Sequence, residues 1–112
     1  MLIHNPRCSK SREALALLQA QGVEPEIRLY LQDPLTADEL SDLLKKLGKS
    51  AREVMRTSEE IYKTLALSNP KLSEAELINF IAQNPILLER PIFIHAERAV
   101  IGRPPENILA IL

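Results

Sequence analysis

The only cysteine of this 112-residue chain, Cys8, lies in a polar stretch that reads HNPRCSKSR over residues 4–12. The stretch separates an apolar start, Leu2-Ile3, from a run of helical character over residues 13–20. A thiol at the junction of a strand and a helix meets the unpaired N–H groups and the positive dipole end of the first helical turn. Both favour the thiolate, which is the nucleophilic form of cysteine. The stretch therefore predicts a nucleophile within an anion pocket.

A helix terminus does not ionise a thiol at neutral pH without help. Bringing the pKa of Cys8 from ~8.5 to near neutrality requires about 2 kcal/mol. An exposed helix N-terminus contributes only about 0.3–1 kcal/mol, so nearby cations or specific hydrogen bonds must supply the remainder. Arginine suits this task and also the binding of an oxyanion, because its planar fork reaches two oxygens at once. The candidates at predicted element boundaries are Arg56, Arg90 and Arg103.

Three polar residues around Cys8 each allow a structural and a functional interpretation. His4 is either a satisfied histidine at a strand end or a group that stabilises the thiolate, through its charge or through the hydrogen bonds of the loop. Asn5 belongs to the same loop. Ser11 suits helix capping, and its hydroxyl is also within one turn of the sulfur. Cys8 itself has the alternative interpretation of a small buried hydrophobe, which its polar neighbours disfavour.

The composition excludes several classes of protein. Hydrophobic residues make up 46% and charged residues 26% of the chain, as in ordinary globular domains. A net charge of −1 argues against a nucleic-acid partner. We expect no membrane partner and no signal peptide, since no apolar run approaches the ~20 residues of a membrane span.

A single cysteine cannot form an intramolecular disulfide and favours a reducing, cytoplasmic location. No zinc spacing or phosphate-binding glycine loop is present, so no metal is expected.

Hydrophobic periodicity predicts an α/β protein. A strand, a helix and a second strand with short joints form a βαβ unit, and the carboxy-terminal part predicts a β-hairpin followed by a helix. Strands are predicted at 1–3, 26–31, 92–94 and 99–101, and helices at 13–21 and from Pro104 onward. The result is a four-stranded mixed sheet covered by helices, which is the thioredoxin-like layout with a helical insertion.

The middle of the chain predicts short helices that begin at capping residues. The capping boxes are Thr36 with Glu39, Ser50 with Glu53, and Ser73 with Glu76, and Ser58 is predicted to cap a further helix. We therefore predict one domain over residues 1–112, with a thioredoxin-like core at 1–33 and 86–112 and a helical insertion at 34–85.

Three motifs together resemble the glutaredoxin-coupled arsenate reductases of thioredoxin-like fold. They are His-Asn-Pro-x-Cys-x-x-Ser-Arg at 4–12, Glu-Arg-Pro-Ile at 89–92 and Gly-Arg-Pro-Pro-Glu at 102–106. The resemblance implies that Cys8 is the nucleophile and that His4 is associated with thiolate formation. It implies that the oxyanion is bound by Arg56, Arg90 and Arg103. It also places Pro91 where thioredoxin-like folds keep a cis proline beside the active cysteine.

The mechanism implied by the resemblance needs thiols from outside the chain. Cys8 attacks arsenic(V), glutathione displaces a second oxygen, and glutaredoxin reduces the adduct to release arsenite. The lone cysteine agrees with this scheme, because the chain has no resolving thiol of its own. No bound cofactor is expected, glutathione being a co-substrate.

Two alternatives stay open at this stage. One is a regulator resembling Spx, which shares the fold and binds RNA polymerase, although such proteins usually carry Cys-x-x-Cys and position 11 here is serine. The other is a glutathione-dependent thiol oxidoreductase of another substrate, for which three arginines would be an unusual requirement.

Overall fold

The computed structural model of the protein describes all residues 1–112. The strands are β1 (Leu2–His4), β2 (Ile27–Leu29), β3 (Ile92–His95) and β4 (Arg98–Ile101). The α-helices are α1 (Ser9–Ala20), α2 (Ala37–Leu47), α3 (Glu60–Thr64) and α4 (Glu74–Gln83). Short 3₁₀ helices occupy Arg52–Val54, Pro85–Leu87 and Pro105–Ile111. None of these helices combines the length and the apolarity needed to span a membrane.

The four strands form one mixed sheet in the order β2-β1-β3-β4. β1 runs parallel to β2 and antiparallel to β3, and β3 is antiparallel to β4. This confirms the predicted thioredoxin-like sheet. The hairpin also forms as predicted, and it turns through Ala96 and Glu97 between β3 and β4.

Contacts between Cα atoms divide the chain into two compact units, one of Met1–Asp33 with Arg90–Leu112 and one of Pro34–Glu89. In the first unit, α1 and the last 3₁₀ helix pack with the sheet around an apolar cluster. The buried members of that cluster are Leu2, Ala14, Leu18, Phe93, Ile108 and Ile111. The helix α1 thereby presents its apolar face to the sheet, and its first turn carries the polar Ser-Lys-Ser-Arg sequence.

The second unit contains the two helices whose caps were clearest in the sequence. Thr36 and Ser73 both form complete capping boxes, with Glu39 and Glu76 respectively. Gly48 ends α2 in the left-handed conformation, at φ 66°, which glycine adopts without a steric penalty. The apolar stripe of α2 is buried at Leu40, Leu43 and Leu44, and α4 is buried at Leu77 and Ile81. Local periodicity was therefore sufficient to predict both helices.

The boundary after the helical insertion lies at residue 89, whereas the sequence placed it at residue 85. Backbone hydrogen bonds explain the difference. Arg56 N–H donates to Leu87 O at 2.7 Å, Glu89 N–H donates to Val54 O at 2.8 Å, and Met55 forms an antiparallel bridge with Leu88. Residues 86–89 thus pair with residues of the second unit.

Three helix predictions differ from the structure. The segment after Ser50 is a three-residue 3₁₀ helix. The helix predicted to begin at Ser58 begins at Glu60 without a side-chain cap, because Glu59 is already held in a turn by its N–H bond to Arg56 O. The last helix is a 3₁₀ helix that buries Pro105, Ile108 and Ile111. These residues are three apart, and side chains at that spacing align along one face of a 3₁₀ helix.

We predict that Gly102→Ala destabilises the protein. An added Cβ would lie 2.9 Å from Pro91 Cγ and 3.2 Å from Ile108 Cγ2, and overpacking of this kind costs about 1–3 kcal/mol. The free energy of unfolding, measured in urea, should fall by that amount. The matched control is Gly22→Asn, since Gly22 has a positive φ and open space and asparagine tolerates such a φ. Equal losses in both variants would contradict the packing argument.

Candidate active site

Cys8 is the N-cap residue of α1 and closes the loop that follows β1. Its backbone is extended, at φ −93° and ψ 123°, and its N–H donates to Asn5 O at 3.0 Å. Asn5 also accepts from Arg7 N–H through Oδ1 at 3.0 Å. α1 begins at Ser9, four residues before the predicted start, because Cys8 itself takes the capping position. The cysteine side chain is half-buried, so a reactant can reach the sulfur.

The environment of Cys8 lowers the pKa of its thiol below the ordinary value. Burial alone raises the pKa, but the Ser11 N–H, the Arg90 charge, the Lys10 N–H and the Arg103 charge lower it further than burial raises it. The Cys8 side chain forms no capping hydrogen bond to the helix. The N–H groups of Ser11 and Lys10 therefore act on the sulfur as dipoles at the helix N-terminus. The direction of this shift favours the thiolate, and its ionisation at neutral pH stays a prediction.

The sheet topology brings Arg90 and Arg103 to the loop of Cys8. Arg90 precedes β3 and Arg103 follows β4, and the two antiparallel strands are in register from Ile92 opposite Ile101. The start of β3 and the end of β4 therefore lie at the same edge of the sheet, where β1, antiparallel to β3, also ends. Arg103 Nη1 donates to Arg90 O at 3.3 Å, which holds this guanidinium beside the backbone of Arg90.

Two of the peptide bonds at this edge are cis. They join Arg90 to Pro91 and Arg103 to Pro104. The first confirms the cis proline that the resemblance implied at Pro91, and the second was not predicted. Pro91 is buried, and its carbonyl accepts from Gly102 N–H at 2.8 Å. Arg90 is half-buried and Arg103 is exposed, so the guanidinium group of Arg90 is less solvated than that of Arg103.

His4 and Ser11 form a buried hydrogen-bonded pair behind the loop. His4 Nδ1 lies 2.6 Å from Ser11 Oγ, and Ser11 Oγ also accepts from Asn5 N–H at 3.0 Å. Burial lowers the pKa of His4, so the imidazole is neutral at pH 7 and the serine hydroxyl has its proton available for Nδ1. Of the two roles considered for His4, the lowered pKa disfavours stabilisation by charge, and the bond to Ser11 agrees with a role in the hydrogen bonds of the loop. The Ser11 hydroxyl forms hydrogen bonds with His4 and Asn5. The effect of Ser11 on the sulfur comes from its backbone N–H.

Arg56 lies in the second unit. Its Nη1 forms an ion pair with Glu59 Oε1 at 2.7 Å, and both side chains are about one-fifth exposed, at 19% and 21%. Its predicted contact with an oxyanion stays a prediction. The i, i+3 spacing of Arg56 and Glu59 is typical of a local ion pair. The pair could therefore have been predicted from the sequence.

Two further contributors were absent from the sequence analysis. The N–H of Lys10 belongs to the first turn of α1, so any N-cap assignment at Cys8 would have identified it. Gly102 allows Pro91 to approach closely, and a glycine directly before an Arg-Pro pair was a usable signal. Of the remaining predicted residues, Asn5 is bonded to Cys8 through its carbonyl oxygen, and the place of Pro91 beside the sulfur stays a prediction.

The fold and the site define a thioredoxin-like protein with one cysteine. This cysteine is the N-cap residue of α1, and two arginines at neighbouring strand ends act on it. The chain belongs to the ArsC family, whose sequence model matches residues 3–111. An arsenate reductase of Haemophilus influenzae is 51% identical, the match covering 100% of this chain and 97% of that protein. The uncharacterized protein YfgD of Escherichia coli is 55% identical, with 99% and 94% covered. A solved structure of an arsenate reductase from Vibrio cholerae superimposes with a TM-score of 0.98 at 45% identity, covering 100% of this chain and 96% of that one.

The pH dependence of alkylation tests the electrostatics around the sulfur. We expect iodoacetamide to react with Cys8 with an apparent pKa below the ~8.5 of a free thiol. Arg90→Ala and Arg103→Ala should each raise that pKa, because removing a cation favours the neutral thiol. Arg98→Ala, which removes a hairpin arginine that does not act on Cys8, should leave it unchanged. Indistinguishable pKa values in all four proteins would contradict the assignment of the two arginines.

The buried His4 predicts a loss of stability on mild acidification. Its pKa is lowered in the folded protein, so the unfolded chain takes up a proton first as the pH falls. The free energy of unfolding should therefore be insensitive to His4 well above pH ~6.5 and should decrease below it. Urea titrations between pH 7.5 and 5 on the wild type and His4→Gln measure this, and the variant should show the shallower slope. Parallel slopes would mean that His4 does not titrate differently in the two states.

Proposed function

We propose that this protein reduces arsenate to arsenite, with Cys8 as the nucleophile and glutathione and glutaredoxin as the sources of electrons. The observation that carries the proposal is the lowered pKa of the only cysteine, produced in part by two arginines at the edge of the sheet. Relatives of about half-identical sequence and matching length are named arsenate reductase, which supports arsenic as the element on which the thiolate acts.

Binding of the substrate follows from the charges at the site. Arg90 and Arg103 lie close to each other and repel when no anion is present, so a dianionic tetrahedral oxyanion is the favoured ligand. Their guanidinium groups each offer a fork for two oxygens and draw electron density from the central atom. The Cys8 thiolate then attacks arsenic(V), an arsenic–sulfur bond forms, and one oxygen leaves as hydroxide.

Reduction requires two electrons, which the enzyme alone cannot deliver because it has no second cysteine. In the proposed sequence a glutathione thiol displaces another oxygen as water, and the arsenic is still pentavalent. A glutaredoxin thiolate then attacks the glutathione sulfur, forming a disulfide. The electron pair of the arsenic–sulfur bond that breaks goes to arsenic, which becomes trivalent. Hydroxide displaces Cys8, and arsenite leaves.

The chemistry also indicates where the protein works and what it needs. A reducing compartment keeps an exposed thiolate from oxidation, so we propose a cytoplasmic location. The proposed reaction uses glutathione as a consumed co-substrate and needs no resident cofactor. Glutaredoxin is the one protein partner that the scheme requires.

Reduction of arsenate in the presence of glutathione and glutaredoxin tests the proposal. We expect Cys8→Ser to lower the rate to that of the reaction without enzyme, since a serine hydroxyl is not ionised at neutral pH. Arg90→Lys keeps the charge but loses the planar fork, and it should lower kcat/KM for arsenate roughly tenfold. The assay follows arsenite formation, with the oxidation of NADPH by glutathione reductase as a second readout.

Phosphate serves as the control ligand, because it has the same shape and charge and cannot be reduced by thiols. It should inhibit the wild type competitively against arsenate and inhibit Arg90→Lys less. Activity in Cys8→Ser equal to that of the wild type would refute the role of the nucleophile. An inactive wild type that retains the low pKa of Cys8 would point instead to another substrate of the same thiolate.

A further inference from the structure

A cleft of about 280 Å³ opens beside the loop of Cys8, within the first unit. Its walls are the loop that follows β1 and the chain that follows β2. The lining residues are His4, Asn5, Pro6, Arg7, Leu29, Leu31 and Gln32. β1 and β2 are parallel, so the cleft lies at their carboxyl ends, which is where open α/β sheets bind ligands. The arginines assigned to the oxyanion are not among the lining residues.

The lining combines one cation, amide groups and apolar surface. Arg7 is exposed and supplies a guanidinium that suits a carboxylate. Gln32 and Asn5 supply amides, and because Asn5 Oδ1 already accepts from Arg7 N–H, its Nδ2 is the group left to donate to a ligand. Leu31 is 42% exposed and offers a surface for an aliphatic chain. This set matches a small anionic peptide.

The cleft lies next to the reactive sulfur. Asn5 and Cys8 are joined by a bond from Cys8 N–H to Asn5 O, which is the pattern of a four-residue turn whose end Cα atoms are less than about 7 Å apart. Asn5, which lines the cleft, and Cys8 therefore stand at the two ends of one turn. Arg7 is not among the groups that lower the pKa of Cys8, although it is adjacent in sequence, and its guanidinium is exposed beside the cleft.

We propose that this cleft is the binding site of glutathione, with Arg7 holding one of its carboxylates and Asn5 and Gln32 holding its amide groups. The assignment rests on the proposed function, because it supplies the thiol that attacks the arsenic on Cys8. In that step the glutathione sulfur bonds to arsenic, its proton goes to the departing oxygen, and the oxygen leaves as water. No electron is transferred to arsenic until glutaredoxin attacks the glutathione sulfur.

Binding is measured first without arsenic. S-Methylglutathione has the same carboxylates and amides but no reactive thiol, so it probes the cleft alone. We expect it to shift the backbone amide resonances of residues 4–8 and 29–32 in a ¹⁵N-labelled sample of the full chain. Arg7→Ala should weaken this binding about tenfold, as expected for the loss of one charged hydrogen bond, and Arg7→Lys should restore part of it.

Steady-state kinetics then separate the two substrates. Arg7→Ala should raise the KM for glutathione about tenfold and change the KM for arsenate and the alkylation pKa of Cys8 less than twofold. Arg98→Ala is the matched control, since it removes an exposed arginine of the same unit that neither lines the cleft nor acts on Cys8. It should leave the ratio of the two KM values unchanged.

The outcomes distinguish the cleft from the proposed function. Reductase activity that depends on Cys8, with no shift at residues 4–8 and 29–32, overturns the cleft and leaves the function standing. Shifts that centre on residues 90–94 have the same consequence. Binding of S-methylglutathione in the cleft by a protein that does not reduce arsenate supports the site and removes the function. An effect of Arg7→Ala on the KM for glutaredoxin alone would assign Arg7 to that protein partner and overturn the proposal.

Discussion

Burial of the Cys8 sulfur raises the pKa of the thiol, and the surrounding groups reverse this effect. The helix dipole at Ser11 and Lys10 acts over one turn and comes from the local chain. The charges of Arg90 and Arg103 come from distant parts of the sequence, and the half-buried Arg90 acts in a less solvated environment than the exposed Arg103, where Coulomb interactions are stronger. The first unit is therefore constrained to bring two strand ends to the start of one helix, and its topology satisfies that constraint.

The guanidinium groups of Arg90 and Arg103 repel each other, so the backbone that carries them must resist their separation. Close packing of Gly102 against Pro91 and Ile108 supplies part of this rigidity, and the bond from Gly102 N–H to Pro91 O supplies another part. An oxyanion bound between the charges, as proposed above, would relieve the repulsion that remains. The arrangement that lowers the pKa of the cysteine would then also favour the proposed ligand.

The loop between β1 and α1 has different functions on its different sides. His4 and Ser11 form a buried hydrogen-bonded pair on its interior side, Cys8 carries the thiol of lowered pKa, and Arg7 lines the cleft toward β2. We infer that the geometry of the loop, rather than a general basic field, decides which anion meets the thiolate.

The sequence by itself determined the elements whose causes are local. The capping boxes of α2 and α4, the stop at Gly48, the hairpin and the thioredoxin-like order of elements all depend on residues a few positions apart, and so does the placement of Cys8 before a helix. Only the tertiary structure decided what depends on burial or on distant pairing. The neutral state of His4 follows from its burial, the approach of Arg103 to Arg90 follows from strand register, and the 3₁₀ form of the last helix follows from the core that it covers. Burial and register are properties of the whole folded chain, and no local pattern of residues encodes them.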